Sequence, residues 1–197
     1  MWSELAKSLS FRSGHFELES GHHGNRWFDL ELLFRRPDAV RPLITELATR
    51  LADCQAELVC GPLVEGAFVA LQVASELGVD FTYAERRTDH NRDGLFPVDY
   101  RIPGAQRDLV RGRRVAIVND VINAGSSVRA TLADLEACSA STVAIASLLS
   151  RGRAPERLAS DARVPLVVLA KEPNTIWPPD ECPLCMEGIA VVPHHGS

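Results

Sequence analysis

Five short apolar runs, each spaced from the next, constrain this chain more than any other feature. They are ELVC (57–60), FTYAE (81–85), RVAIVN (114–119), TVAIASLL (142–149) and PLVVLA (165–170). Helical patterns separate most of them. Val69, Val73 and Leu77 share one face and stop at Gly78; residues 127–137 form the next helix, and a short one follows Pro155. An earlier helix opens at Pro37, which suits a first turn, and runs to about Leu51 with Val40, Leu43, Ile44, Leu47 and Leu51 at helical spacing. Apolar strands alternating with helices pack as a mainly parallel sheet with helices on both faces, so the expected class is α/β.

The ends are less regular. Residues 3–9 suit a short helix. HFELE (15–19) and RWFDLEL (26–32) alternate like strands around a His-His-Gly-Asn turn. RRTDHNRDGLFP (86–97) is charged, contains Gly and Pro, and reads as a mobile loop from which VDYRI (98–102) returns as a strand. After Pro173 the only periodic stretch is GIAVV. Three segments result: 1–36, a core at 37–172, and an irregular tail at 173–197.

Composition narrows the function. A length of 197 residues suits one domain, and 46% apolar residues supply its core. The net charge of −5 argues against a general nucleic-acid binder. Neither a membrane-length apolar run nor a signal-peptide pattern appears, so a cytoplasmic protein is expected. Five cysteines, an odd number, do not suit a secreted disulfide framework; Cys54, Cys60 and Cys138 read as small buried residues. Among the cations, lysine is nearly absent: Lys7 and Lys171 are the only two.

VNDVINAGSSV (118–128) carries the most chemistry. In an open parallel sheet, ligands bind beyond the carboxyl ends of the strands. Asn119 and Asp120 fall there. Asn123, Ala124, Gly125, Ser126 and Ser127 are small and lead into a helix, whose first N–H groups attract phosphate. The same residues also suit an ordinary turn with Ser126 as the helix cap. Neither G-x-G-x-x-G nor G-x-x-x-x-G-K-[ST] occurs, so a dinucleotide or P-loop site is not indicated.

This stretch resembles the signature of the type I phosphoribosyltransferases, and other segments are similar to the orotate-specific branch of that family. FELESGHHGNRWFDLELLF (16–34) resembles its N-terminal Ser-Gly segment and base-side aromatic strand. CGPLVEGAFVA (60–70) resembles its Gly-Pro loop, TYAERR (82–87) the strand that starts its catalytic loop, and Arg151 a base-contacting arginine. The resemblance spans roughly residues 10–171. It implies the type I phosphoribosyltransferase fold, with residues 1–36 as a small hood over the base. It further implies transfer of ribose 5-phosphate from phosphoribosyl pyrophosphate to an orotate-like nucleobase with Mg²⁺, and a homodimer whose mobile loop reaches the neighbour's site.

By the same resemblance, Asp120 and Asn119 hold the ribose and Asn123 to Ser127 hold the 5′-phosphate. Gly61, Pro62, Leu63, Arg86 and Arg87 surround the pyrophosphate, Arg87 and His90 belong to the catalytic loop, and Phe28 and Arg151 meet the base. Such a reaction passes through a cation-like sugar steadied by a carboxylate, while Mg²⁺ and basic groups steady the leaving pyrophosphate. Several positions depart from the pattern. Asn119 replaces an acid, Glu19 and Glu65 replace lysines, and the loop offers Arg86, Arg87, His90 and Arg92 without a lysine. A second reading is therefore a regulatory protein that binds a nucleotide or phosphoribosyl pyrophosphate without turnover. A third is a transferase for a different base.

Cys182 and Cys185 form a C-x-x-C, two of the four ligands that a zinc site needs, with His194, His195, His22 or His23 as candidates for the rest. The surrounding prolines equally suit a tight tail without metal. His22 and His23 are expected in an exposed hairpin turn. Trp27 and Phe28 are expected on opposite faces of their strand, one toward the base and one toward the core.

Overall fold

A computed structural model describes residues 11–87, 99–173 and 175–192. The described residues run through β1 (Phe11–Glu17), β2 (His23–Phe28), α1 (Pro37–Leu51), β3 (Leu58–Pro62), α2 (Glu65–Leu77), β4 (Asp80–Arg87) and β5 (Asp99–Arg101). They continue through α3 (Arg107–Val110), β6 (Arg114–Ile122), α4 (Ser126–Ala137), β7 (Ser141–Arg151), α5 (Ala154–Asp161), β8 (Leu166–Glu172), β9 (Ile176–Trp177) and α6 (Pro183–Met186). The apolar runs pair into a six-stranded sheet ordered β5-β4-β3-β6-β7-β8, in which neighbours are parallel apart from the antiparallel edge strand β5. The expected 3–9 helix lies outside the described residues.

Alternation along β6 explains why both faces are covered. Val115 and Ile117 join a core with Val128 and Leu135 of α4 and Leu158 of α5. Ala116 and Val118 join a second core with Leu47 of α1 and Val69 and Val73 of α2. Each large apolar side chain so buried contributes roughly 1.5–3 kcal/mol, which makes the two-faced sheet the rigid platform for everything at its carboxyl edge. The edge strand β5 is tied down by Asp134 of α4. Its carboxylate accepts from the Ile102 N–H at 2.7 Å and from the guanidinium groups of Arg101 (3.1 Å) and Arg107 (2.9 Å).

A second sheet, ordered β1-β2-β9, joins the N-terminal hairpin to the tail. Two expectations fail here. RWFDLEL does not remain a strand: β2 ends at Phe28, and Leu30–Arg35 form a 3₁₀ helix. This turn buries Leu33, leaves Leu32 exposed, and brings the Phe34 ring against Phe68 of α2, centroids 5.7 Å apart. The hairpin turn also falls earlier than expected, with Leu18 N–H donating to His22 O and Gly21 N–H to Leu18 O, so His23 belongs to the strand and is buried. Cys60 and Cys138 are buried as expected, whereas Cys54 is half-buried. No helix among the described residues is long and apolar enough to cross a membrane.

Candidate active site

Strands β3, β4, β6 and β7 deliver their carboxyl ends to one cavity of ≈ 820 Å³, which the β1–β2 hairpin closes from the side.

Strand β6 runs further than its apolar core, to Ile122, so Asn119 and Asp120 lie inside the strand rather than past its end. Both are nearly buried and both line the cavity. Burial pushes the Asp120 carboxyl up to about 7; the Glu65 and Glu19 carboxylates add to the rise, while the Val121 backbone N–H opposes it. The Asn119 amide donates from Nδ2 to the Val121 carbonyl at 2.7 Å. A carboxylate there would set two acceptors against each other and add charge beside Asp120. Asparagine thus fits a wall already crowded with acids.

The loop after β6 holds Asn123, Ala124, Gly125, Ser126 and Ser127, all of which line the cavity. Gly125 takes φ +79° as the N-cap of α4, a conformation that glycine adopts without strain. Ser126 is therefore the first helical residue and not the cap expected of an ordinary turn, and no side-chain cap is formed among the described residues. The N–H groups of the first turn lack intrahelical partners by geometry, and the two serine hydroxyls sit beside them.

The β3–α2 junction contributes Pro62 from the strand end, Leu63 and Val64, joined by a cis peptide, and Glu65 and Gly66 from the first turn of α2. Gly61 sits behind this wall. A Cβ there would lie 2.6 Å from the Ala70 Cβ and 2.8 Å from the Ala67 Cα, so its glycine allows the close approach of α2, and Gly61 is not among the residues that line the cavity. Gly66, not foreseen from the sequence, faces Asn119: a Cβ on it would collide with the Asn119 Oδ1.

Opposite that junction, Arg86 of β4 reaches Glu19 of the hairpin, Nε to Oε1 3.3 Å. The Tyr100 hydroxyl donates to the same carboxylate at 3.0 Å. Burial and the Glu19 charge hold this phenol well above its ordinary pKa, so it remains a donor. Glu19, Arg86 and Tyr100 all line the cavity, whereas Arg87, one residue on, does not. His90 and Arg92 lie outside the described residues.

The hairpin supplies Trp27 and Phe28 together, although strand alternation had assigned them to different surroundings. Phe28 is the last residue of β2, where the chain turns away, and the alternation no longer separates the two. Arg151 ends β7 and is only 2% exposed, not a surface charge. Its guanidinium stacks over the Phe28 ring at 4.9 Å and donates to Arg26 O (3.2 Å), Asn123 Oδ1 (3.3 Å) and Thr175 Oγ1 (2.7 Å). Burial lowers its pKa to about 10, partly offset by Glu172. One buried cation thus joins the phosphate-type loop, the aromatic strand and the tail. Cys182 and Cys185 do not line this cavity; they meet His15 and His23, while His194 and His195 lie outside the described residues.

Known proteins share this fold. Residues 37–181 match the family described as Phosphoribosyl transferase domain. The orotate phosphoribosyltransferase of Pelotomaculum thermopropionicum is 32% identical over 186 residues, covering 94% of this chain and 90% of its own. That of Carboxydothermus hydrogenoformans is 33% identical over 187 residues, covering 91% and 87%. Among solved structures, the orotate phosphoribosyltransferase of Aeropyrum pernix superposes with a TM-score of 0.65 at 23% identity, covering 87% of this chain and 93% of that one. The adenine phosphoribosyltransferase of Trypanosoma brucei, in complex with AMP, pyrophosphate and ribose-5-phosphate, gives 0.68 at 19% identity, covering 86% and 79%. These two structures speak for the fold.

Proposed function

The chain belongs to the type I phosphoribosyltransferase family, and from that premise we propose that it transfers ribose 5-phosphate from phosphoribosyl pyrophosphate to orotate or a close analogue, releasing pyrophosphate. One observation carries the reading. A phosphate-type loop, a buried acid, a cationic strand end and an aromatic hairpin line a single cavity.

In this reading the 5′-phosphate binds the backbone N–H groups and hydroxyls of residues 123–127. The ribose hydroxyls meet Asp120 and Asn119. Arg86 and the Pro62–Leu63 loop take the pyrophosphate, with Arg87 and His90 reserved for the catalytic loop. The base lies against Phe28, and Arg151 orients it through Asn123 and the aromatic ring. The C1–oxygen bond to pyrophosphate breaks as the base nitrogen bonds to C1, and the proton released from that nitrogen leaves with the pyrophosphate. Ionised Asp120 steadies the positive charge that grows on the sugar, in a wall where burial strengthens that attraction. A homodimer completes this reading by family resemblance.

The acids suit Mg²⁺ as well. Burial first, and then the Glu65 carboxylate, raise the Asp120 pKa, and hard carboxylate oxygens are what Mg²⁺ takes. Asp120 and Glu65 would hold it; when bound it supplies positive charge against the leaving pyrophosphate.

Pyrophosphate release from phosphoribosyl pyrophosphate and Mg²⁺, measured with a panel of bases, tests the proposal. Release with orotate is expected. Tight ribonucleotide binding without turnover on any base would instead make the chain a regulatory protein on the same fold.

A further inference from the structure

We propose that His15, His23, Cys182 and Cys185 bind one structural Zn²⁺ that clamps the C-terminal tail to the N-terminal hairpin. This site is separate from the cavity described above and independent of the activity proposed for it.

Four ligand atoms, one from each residue, lie within 4.8 Å of one another. His15 Nε2 is 2.9 Å from His23 Nδ1, 3.5 Å from Cys182 Sγ and 3.7 Å from Cys185 Sγ, and His23 Nδ1 is 3.1 Å from Cys185 Sγ. Zinc bonds of about 2.0–2.3 Å in a tetrahedron put neighbouring ligands roughly 3.3–3.8 Å apart, close to these separations. Two thiolates and two imidazoles form a set that favours zinc over hard cations. Four protein ligands leave no open position, which makes the site structural rather than catalytic.

The surroundings prepare the ligands. His15 Nδ1 lies 2.6 Å from the Ile189 carbonyl, which only accepts, so Nδ1 carries the proton. Nε2 therefore turns a lone pair toward the cluster, the arrangement found for metal-bound histidines. The β1–β2 register shifts between Ser13 and Phe16, around His15, and such irregularities re-aim side chains. Cys182 and His15 are buried at 0% and 1% exposure.

The clamp has an evident task. A three-stranded sheet with a two-residue third strand holds little core of its own, and small elements of this kind need a staple. Beyond the cysteines the tail turns back along β1, where Val192 N–H donates to His15 O at 2.6 Å.

The full chain, without a histidine tag, is grown with zinc supplied and its metal content measured. One zinc per chain is expected. Chelator-stripped protein given Co²⁺ should develop thiolate charge-transfer and intense tetrahedral ligand-field bands, and should recover protection of the tail from limited proteolysis. A double variant, Cys182→Ser with Cys185→Ser, should lose the zinc. If that variant fails to fold, His23→Cys supplies the decision by keeping the metal and shifting the Co²⁺ spectrum toward three thiolates. Sub-stoichiometric zinc without Co²⁺ uptake overturns the proposal. So does a Cys182–Cys185 disulfide in protein alkylated under anaerobic conditions, or zinc retained by the folded double variant.

Discussion

Arg86 Nε lies 3.3 Å from Glu19 Oε1, pairing a cation at the end of β4 with an acid on the hairpin across the cavity mouth. The pair gives the departures at Glu19 and in the lysine-poor loop a physical form. An acid stands where relatives are expected to carry a lysine, and an arginine from another strand sits against it. Both side chains are substantially exposed, 54% for Arg86 and 34% for Glu19, so the pair itself is weak and an incoming anion can draw Arg86 away.

Removing either partner should therefore move substrate affinity in opposite directions. Arg86→Ala should raise the KM for phosphoribosyl pyrophosphate by about 10-fold or more, the worth of a charge-assisted hydrogen bond. Glu19→Gln should lower it by about 3-fold, within the range of an exposed ion pair. Steady-state kinetics with varied phosphoribosyl pyrophosphate decide this. A higher KM in Glu19→Gln would mean that Glu19 itself assists binding.

Asp120 makes activity and stability depend on pH in opposite ways. Its pKa is raised from 3.8 to about 7 in the folded chain. The reaction needs the carboxylate, so kcat/KM should fall on the acid side, and the fall should move to lower pH as Mg²⁺ is raised, because a bound cation favours the ionised form. Between the two pKa values the folded chain holds a proton that the unfolded chain has released. This linkage favours folding at low pH, and the benefit is lost as pH rises through 7. Asp120→Asn should accordingly abolish turnover yet raise the Tm at pH 8, with the gain fading toward pH 4. Thermal unfolding across that range checks the sign.

Gly66 and Asn119 should fail together. A methyl group at Gly66 meets the Asn119 Oδ1, and Asn119 is held by its bond to the Val121 carbonyl. Gly66→Ala should displace that amide and cut kcat by about 10-fold or more, as small misplacements in an active site do. Asn119→Asp should move the acidic limb of kcat/KM to higher pH, because it adds a like charge beside Asp120. A pH profile unchanged from the parent would show that the two side chains do not sense each other.

Asp134 is a test of the scaffold alone. Its buried carboxylate accepts from Ile102, Arg101 and Arg107, which fixes β5 and with it Tyr100. Asp134→Ala leaves those donors without their acceptor and should cost about 3 kcal/mol in urea unfolding.

The parallel sheet was legible because strands such as β6 are apolar on both faces, a pattern that helices must cover. The loop at 123–127 stood out by its place between an apolar strand and a helix, although the same small residues suit an ordinary turn; the structure sets them on the cavity wall. Contacts between distant segments were not legible. Nothing near Glu19 announces Arg86, and nothing near Asn119 announces Gly66, since each pair forms only when separate elements meet. RWFDLEL misled through its alternation: burying Leu33 and Phe34 against the helices outweighed continuing the strand. His15 escaped notice because the histidine pairs in the sequence drew attention to His22, His23, His194 and His195, whereas an irregularity in β1 brings His15 to Cys182 and Cys185.

The product of the reaction tests the central claim most directly. Protein, Mg²⁺, phosphoribosyl pyrophosphate and orotate are incubated, and the nucleotide formed is identified by mass, beside an Asp120→Asn control. The expected result is the orotate ribonucleoside 5′-monophosphate in amounts exceeding the enzyme, and none from the control. Product from the control at the parent rate would contradict the role given to Asp120, and no nucleotide from the parent with any base would contradict the activity itself.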